Sequence, residues 1–150
     1  MRSVASLALL LASCTAFGAA VGERVPFTTL GKGINSGIRE PAQIVVRSQS
    51  EWDALWARHM RVRTAPPPPP AVDFSTEMVV ALFLGERPTG GYAIEMTRVE
   101  RTDSSLAVHF RVTKPDPGAM LMQVLTQPFH LIKLPRVDEP LRFLPESPSG

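Results

Sequence analysis

The chain has 150 residues, an apolar fraction of 44% and a charged fraction of 20%, which is the composition of one soluble globular domain. Its net charge is only +2, and no run of Lys or Arg occurs, which argues against a nucleic-acid-binding surface. A single cysteine excludes an intramolecular disulfide, so the fold depends on its apolar core.

The first residues have the layout of an export signal. One positive charge at Arg2 precedes the short apolar run 4–12, which is too short to span a bilayer as a helix. The run ends in LASC, which resembles a bacterial lipobox and predicts lipidation of Cys14 with diacylglycerol and a further acyl chain such as palmitate. The alternative is plain secretion, with cleavage near Ala19–Ala20. We therefore predict a signal peptide over 1–22, a domain over 23–144 and a disordered tail over 145–150.

The mature chain begins with a glycine-containing stretch, 31–37, that we expect to be irregular, followed by a short strand at 44–46. Ser48 and Glu51 have capping-box spacing, so a helix is predicted to start there. Apolar residues then recur with helical spacing and form a stripe that we expect to pack on a sheet, with ligand stacking by its two tryptophans as the alternative. These residues are Trp52, Leu55, Trp56, His59 and Met60.

Five consecutive prolines, 66–70, can be neither a helix nor a central strand. We interpret them as a stiff polyproline connector, and a ligand for a proline-binding groove is the alternative. The continuously apolar run 78–84 then predicts a strand that is buried on both faces.

Alternating patterns predict two further strands, at 92–99 and 106–112, and the segment 129–134 predicts another. The short links suggest that 78–84, 92–99 and 106–112 form an antiparallel meander. The predicted fold class is therefore α+β: a single domain, mostly antiparallel sheet, with one Trp-bearing helix packed on it.

No catalytic or metal-binding constellation is evident in the sequence. The three histidines, His59, His109 and His130, have no metal-ligand spacing, and the mature domain has no thiol. We predict a non-catalytic protein without a metal or cofactor. The alternative from another class is a small hydrolase or metal enzyme that uses His109 and His130 with carboxylates brought together by folding.

The turn RPTGGY has the most unusual local design in the chain. Adjacent glycines permit positive φ and leave bare backbone, while arginine and tyrosine are favoured at protein-binding hot spots. We predict that this turn contributes to a protein partner, although it could also be a plain hairpin turn. Its residues are Arg87, Pro88, Thr89, Gly90, Gly91 and Tyr92.

The tryptophan helix, the segment GERPTGGY at 85–92 and the strand PFHLIKLP at 128–135 together resemble the PrcB C-terminal-domain family, over about residues 27–143. The family is named for a lipoprotein-like subunit that associates with a secreted subtilisin-type protease and stabilises it. The resemblance therefore implies an exported accessory subunit with a peptidase as its protein partner, and no catalytic residues of its own.

The turn is also similar to the NPTTGY-type loop of chagasin-like peptidase inhibitors. Arg87 replaces the asparagine of that loop and Gly90 replaces one threonine. The companion RPW-like loop has no match, unless the segment 134–136 serves. A peptidase inhibitor is therefore a second function that the sequence leaves open.

Overall fold

The structure, a computed structural model, describes residues 22–147. It confirms a mostly antiparallel α+β domain with a single α-helix among these residues. The elements in chain order are β1 (Glu23–Arg24), β2 (Thr28–Gly33), β3 (Ala42–Val46), α1 (Gln49–His59), a 3-10 turn (Met60–Val62), β4 (Glu77–Phe83), β5 (Ala93–Arg101), β6 (Leu106–Thr113), β7 (Phe129–Pro135) and β8 (Leu141–Pro145).

The strands form two four-stranded sheets. Sheet I has the order β1-β5-β6-β8 and sheet II the order β2-β7-β4-β3. Neighbouring strands are antiparallel except β6 and β8, which are parallel.

Strand β4 is buried on both faces, as its continuous apolar run predicts. Met78, Val80 and Leu82 join the core between the two sheets, whereas the alternate residues join a second core beneath α1. The domain therefore has three layers, sheet I, sheet II and the helix, and β4 with β7 lies at the centre of the middle layer.

Helix α1 begins where its capping residues predict. Ser48 Oγ accepts the backbone N–H of Glu51 at 3.3 Å, and Glu51 Oε2 accepts the backbone N–H of Arg47 at 3.0 Å. The Glu51 carboxylate thus accepts the N–H of the residue before the N-cap, whereas in a capping box it would accept the N–H of the N-cap residue itself. The predicted apolar stripe, from Trp52 to Met60, is buried against sheet II.

The proline run connects the helix to β4 and is bonded to the helix. The indole Nε1 of Trp52 donates to the carbonyl of Pro70 at 3.0 Å, and Nε1 of Trp56 donates to that of Pro67 at 2.9 Å. A polyproline helix repeats every three residues, so carbonyls three positions apart face the same side. The tryptophans therefore pack on the sheet and also fix the connector.

The predicted three-stranded meander is wrong. Strand β4 pairs with β3 and β7 in sheet II, while β5 pairs with β6 in sheet I. Both faces of β4 are apolar, and they are covered by sheet I on one side and by α1 on the other. The chain therefore leaves sheet II after β4 and crosses to sheet I over 84–92. The opening stretch is also more regular than expected, since 28–33 forms edge strand β2 beside β7.

Both predicted terminal segments extend beyond the described residues. Cys14 and almost all of the predicted signal peptide lie outside them. In the predicted tail, Pro145 is the last residue of β8, and Glu146 Oε1 accepts a bond from Arg98 Nη1 at 3.0 Å. Within residues 22–147, no helix has the length and apolar character needed to cross a membrane.

Candidate binding face

Three connections gather at one end of the two-sheet sandwich, which we call the loop end. They are the segments 34–41, 84–92 and 114–128. The strand residues at the ends of these connections are paired across the sheets. Gly33 is opposite Phe129, Ala42 is opposite Phe83, and Ala93 is opposite Thr113. The sheet registers therefore place the predicted binding turn next to two other loops.

Hydrogen bonds join these three connections into one surface. The backbone N–H of Glu86 donates to Arg39 O at 2.8 Å, and that of Gln127 donates to Ile34 O at 2.7 Å. The side-chain amide of Gln127 also donates to Glu86 Oε2 at 2.9 Å. The loop end is consequently braced across its whole width.

The RPTGGY turn itself is tied to the segment 122–126. Arg87 and Thr126 exchange backbone hydrogen bonds of 2.7 and 2.9 Å in an isolated antiparallel bridge. Thr126 Oγ1 donates to Thr89 O at 2.9 Å, and the N–H of Gly90 donates to Met122 O at 3.0 Å. The turn is therefore one side of a paired structure, and a simple hairpin does not describe it.

The two adjacent glycines have different roles. Gly91 has a φ of +87°, and a Cβ there would lie 2.7 Å from Pro115 Cβ, so only glycine fits without strain. Gly90 is buried, and a Cβ there would first meet Met122 Cβ at 3.7 Å. The expected bare backbone is thus present at exposed Gly91 and absent at Gly90, which the neighbouring loop covers.

Arg87 and Tyr92 lie at the base of the turn and are half-buried. The guanidinium carbon of Arg87 is 5.7 Å from the centroid of the Tyr92 ring, and its Nη2 donates to Leu84 O at 3.0 Å. Tyr92 packs against the core between the sheets. Both side chains therefore support the turn, whereas Pro88 at its tip is exposed.

A segment that the sequence analysis did not single out supplies most of the exposed apolar surface at the loop end. We call it the methionine loop, residues 119–125 (AMLMQVL). Four of the five large apolar side chains that are exposed among residues 22–147 belong to it. They are Met120 at 102% exposure, Met122 at 63%, Val124 at 48% and Leu125 at 60%.

The sequence of the methionine loop gave only a weak indication of an exposed apolar surface. Its run of apolar residues between Gly118 and Pro128 has neither the period of a strand nor that of a helix. Such a run is equally compatible with a buried segment, so its exposure depends on tertiary structure. Here Leu121 lies over Gly91, with its Cδ2 3.1 Å from the position of a Cβ there, and the neighbouring side chains face outward.

The histidines proposed for an enzyme have structural contacts. His130 is 2% exposed, and its ring nitrogens contact Thr29 Oγ1 at 2.9 Å and the backbone N–H of Met96 at 2.8 Å. His109 Nε2 lies 3.2 Å from Glu100 Oε2. Across residues 22–147, no group of three or more His, Cys, Asp or Glu residues comes together as a metal site.

The segment Leu134–Arg136, which could have served as the companion loop of an inhibitor, does not lie beside the turn. Pro135 pairs with Glu77 at the start of β4, whereas the turn follows Phe83 at the end of that strand. The length of β4 thus separates the two segments. The methionine loop is the one that accompanies the turn.

Comparison with known proteins supports the resemblance seen in the sequence. Residues 78–135 match the family model described as PrcB C-terminal, while neither the curated proteins nor the solved structures gave a match. The matched segment begins at the second residue of β4 and ends with β7, so it contains the RPTGGY turn, the methionine loop and the central strands. The resemblance to the PrcB C-terminal family is thereby confirmed over residues 78–135.

Proposed function

We propose that the chain is an exported, non-catalytic accessory subunit that binds an extracytoplasmic protease through the methionine loop and the RPTGGY turn. The observation that carries the proposal is the exposed apolar surface of the loop, held on a braced support. The match to the PrcB C-terminal model over the same residues supports the choice of a protease as the proposed partner.

The apolar side chains of the loop suit a protein interface. Met120, Met122 and Leu125 are all at least 60% exposed, and burying a side chain of this kind contributes about 1.5–3 kcal/mol. Methionine is flexible and polarisable, so it adapts to an irregular partner surface. Contiguous exposed apolar residues on a soluble domain commonly mark an interaction site.

The support beneath the loop lowers the entropic cost of binding. The backbone of Met122 is bonded to Gly90, and Thr126 is bonded to both Arg87 and Thr89. A surface that is ordered before association loses less conformational entropy on binding. The turn then acts chiefly as a brace, with exposed Pro88 and Gly91 at its contact edge.

The proposed anchor agrees with this arrangement. We propose that Cys14 is lipidated and that the domain is held at the membrane of the cell envelope. The described chain enters at Gly22, beside Arg101, and Arg101 is at the opposite end of β5 from the loop end. Strand β5 has 9 residues and spans about 30 Å, so the methionine loop is directed away from the anchored end.

The test is co-purification of a tagged full-length chain with its partners from the envelope of its own cells. A peptidase is expected in the eluate of the wild type. The variant Met120→Ser/Leu125→Ser is expected to capture at least about tenfold less of that peptidase, because two apolar contacts are removed. Ala54→Ser, on the exposed face of α1, is the control and should capture as much peptidase as the wild type.

Two results would overturn the proposal. One is an eluate without any peptidase. The other is equal capture by the double serine variant and the wild type, with both folded according to circular dichroism. Measuring the half-life and activity of the captured peptidase with and without the chain then distinguishes a stabilising subunit from an inhibitor.

A further inference from the structure

A cleft lined by arginines adjoins the loop end and is not used by the proposed contact. We call it the arginine cleft. Its volume is about 660 Å³, and it lies between the C-terminal end of α1 and the segment 37–40. Its lining residues are Gly37, Ile38, Arg39, Glu40, Arg58, Arg61 and Val62.

The guanidinium groups of this cleft are largely uncompensated. Arg58 and Arg61 are exposed and have no side-chain hydrogen bond or ion pair to any of residues 22–147. Arg39 has one weak ion pair, with Nε 3.5 Å from Glu86 Oε2, and its side chain is 75% exposed. Glu40 is the only acidic residue in the lining. Guanidinium groups without partners offer paired donors to carboxylates.

Charge is concentrated at this end of the molecule. The three connections of the loop end together with residues 58–63, from the last turn of α1 to just past the 3-10 turn, contain six Arg or Lys residues and three Asp or Glu residues, a net charge of +3. The whole chain has a net charge of +2, so the remainder is net −1. The six cations are Arg39, Arg58, Arg61, Arg63, Arg87 and Lys114, and the three anions are Glu40, Glu86 and Asp116.

The wall of the cleft is fixed by a close backbone approach. The N–H of Gly37 donates to His59 O at 2.7 Å, and a Cβ at Gly37 would collide with the carbonyl of Arg58. Ser36 Oγ bonds His59 Nδ1 at 2.9 Å in the buried layer below. Arg39 is therefore held at a defined position relative to the arginines of the helix end.

A chain of contacts links the cleft to the residues that flank the methionine loop. Arg39 bonds Glu86 through its backbone and its side chain, and Glu86 in turn bonds Gln127, next to the bridge at Thr126. Val62, 53% exposed, adds an apolar side chain to the cleft. A partner that covers the methionine loop and this chain of contacts would also reach the arginines of the cleft.

We propose that the arginine cleft binds an acidic segment of the protein partner, with carboxylates paired to Arg58 and Arg61 and an apolar side chain against Val62. This rests on the proposed function and names the chemistry of the partner's contact. A protein segment fits better than an anionic membrane because the site is concave. The site also lies at the end of the domain opposite Gly22, which is the end nearer the proposed lipid anchor.

The test uses the full-length chain and a synthetic probe. Calorimetric titration with the peptide acetyl-Glu-Leu-Glu-Leu-Glu-amide is expected to give measurable binding that weakens when NaCl is raised from 0.05 to 0.5 M, as charge pairing requires. The matched peptide with Gln in place of Glu is expected to bind at least about tenfold more weakly. Arg58→Gln/Arg61→Gln should lose binding by a similar factor.

The control variant is Arg24→Gln/Arg142→Gln, which removes the same charge from exposed arginines at the other end of the sandwich and should bind the Glu peptide as the wild type does. Equal binding of the two peptides, or unchanged binding by Arg58→Gln/Arg61→Gln, would overturn the proposal. So would preferential binding to phosphatidylglycerol vesicles or to inorganic phosphate. Because the peptide assay needs no protease, its failure is distinguishable from a failure of protease capture.

Discussion

The imidazole Nδ1 of His130 in β7 accepts the backbone N–H of Met96 in β5 at 2.8 Å. This hydrogen bond joins the two sheets through the core, at the position where the pairing of β5 with β6 is shifted by a bulge. Because Nδ1 accepts here, the ring proton is on Nε2, which donates to Thr29 Oγ1 at 2.9 Å. The fold therefore requires a neutral His130.

Acid is predicted to destabilise the domain through two buried histidines. Burial, and to a smaller extent the charge of Lys32, lowers the pKa of His130 to about 4, although Glu95 acts to raise it. Burial, and to a smaller extent the charge of Arg63, lowers the pKa of His59 to about 4. On acidification the unfolded chain binds these protons at a higher pH than the folded chain does, because its histidines titrate near 6.5. The free energy of unfolding therefore has its full value above pH 6.5 and falls as the pH decreases to 4. Each histidine contributes at most roughly 3 kcal/mol to this loss.

Urea unfolding between pH 7 and pH 4.5 measures this effect. His130→Gln and His59→Gln are each expected to lower stability at pH 7 and to reduce the pH slope, because the proton uptake on unfolding disappears. A stability that stays level from pH 6.5 to 4.5 in the wild type would contradict the prediction.

The adjacent glycines of the turn provide a matched pair. Gly91→Ala is expected to destabilise the domain by about 1–3 kcal/mol, since a Cβ would meet Pro115 and the residue would keep a φ of +87°. Gly90→Ala has 3.7 Å of clearance and no positive φ, so its effect should stay within about 0.5 kcal/mol. Similar unfolding midpoints for the two variants would show that the turn is not strained as described.

The bonds between tryptophans and prolines are predicted to stabilise the connector. Trp56→Phe removes the donor to Pro67 O and some buried volume, so a loss of about 1–3 kcal/mol is expected in chemical unfolding. Pro68→Ala is the control, because Pro68 is exposed and its carbonyl accepts no bond from a tryptophan. A control as damaging as Trp56→Phe would mean that the rigidity of the prolines, and not the indole bonds, is what matters.

Lipidation is tested through Cys14. Cys14→Ser removes the thiol that would carry the acyl chains, so the protein is expected to move from the membrane pellet to the soluble fraction after cell fractionation. Mass spectrometry of the wild-type N-terminus checks the same point independently. If the wild type and Cys14→Ser partition identically, the plain-secretion alternative is favoured.

Short-range patterns predicted most of the individual elements. The capping spacing of Ser48 and Glu51, the apolar stripe of α1 and the apolar run of β4 all lie where the sequence placed them. These features depend on residues within a few positions of each other, and the periods of a helix and a strand differ enough to be distinguished. The turn at 87–92 was also recognisable, because its glycines and proline restrict the backbone locally.

Sheet membership was not predictable in this way. An apolar run reports that β4 is covered on both faces, but it does not identify which strands and which helix cover it. The same ambiguity affected 119–125, whose apolar residues could have been core and instead lie on the surface.

The sequence by itself determined the helix with its cap, the doubly buried strand, the proline connector and the tight glycine turn, since each follows from local sterics and periodicity. Only the tertiary structure decided that β4 and β5 are in different sheets, that the methionine loop is exposed beside the turn, and that Arg39 meets the arginines of the helix end. The physical reason is that these outcomes depend on pairing and burial between residues far apart in the chain, which no local pattern encodes.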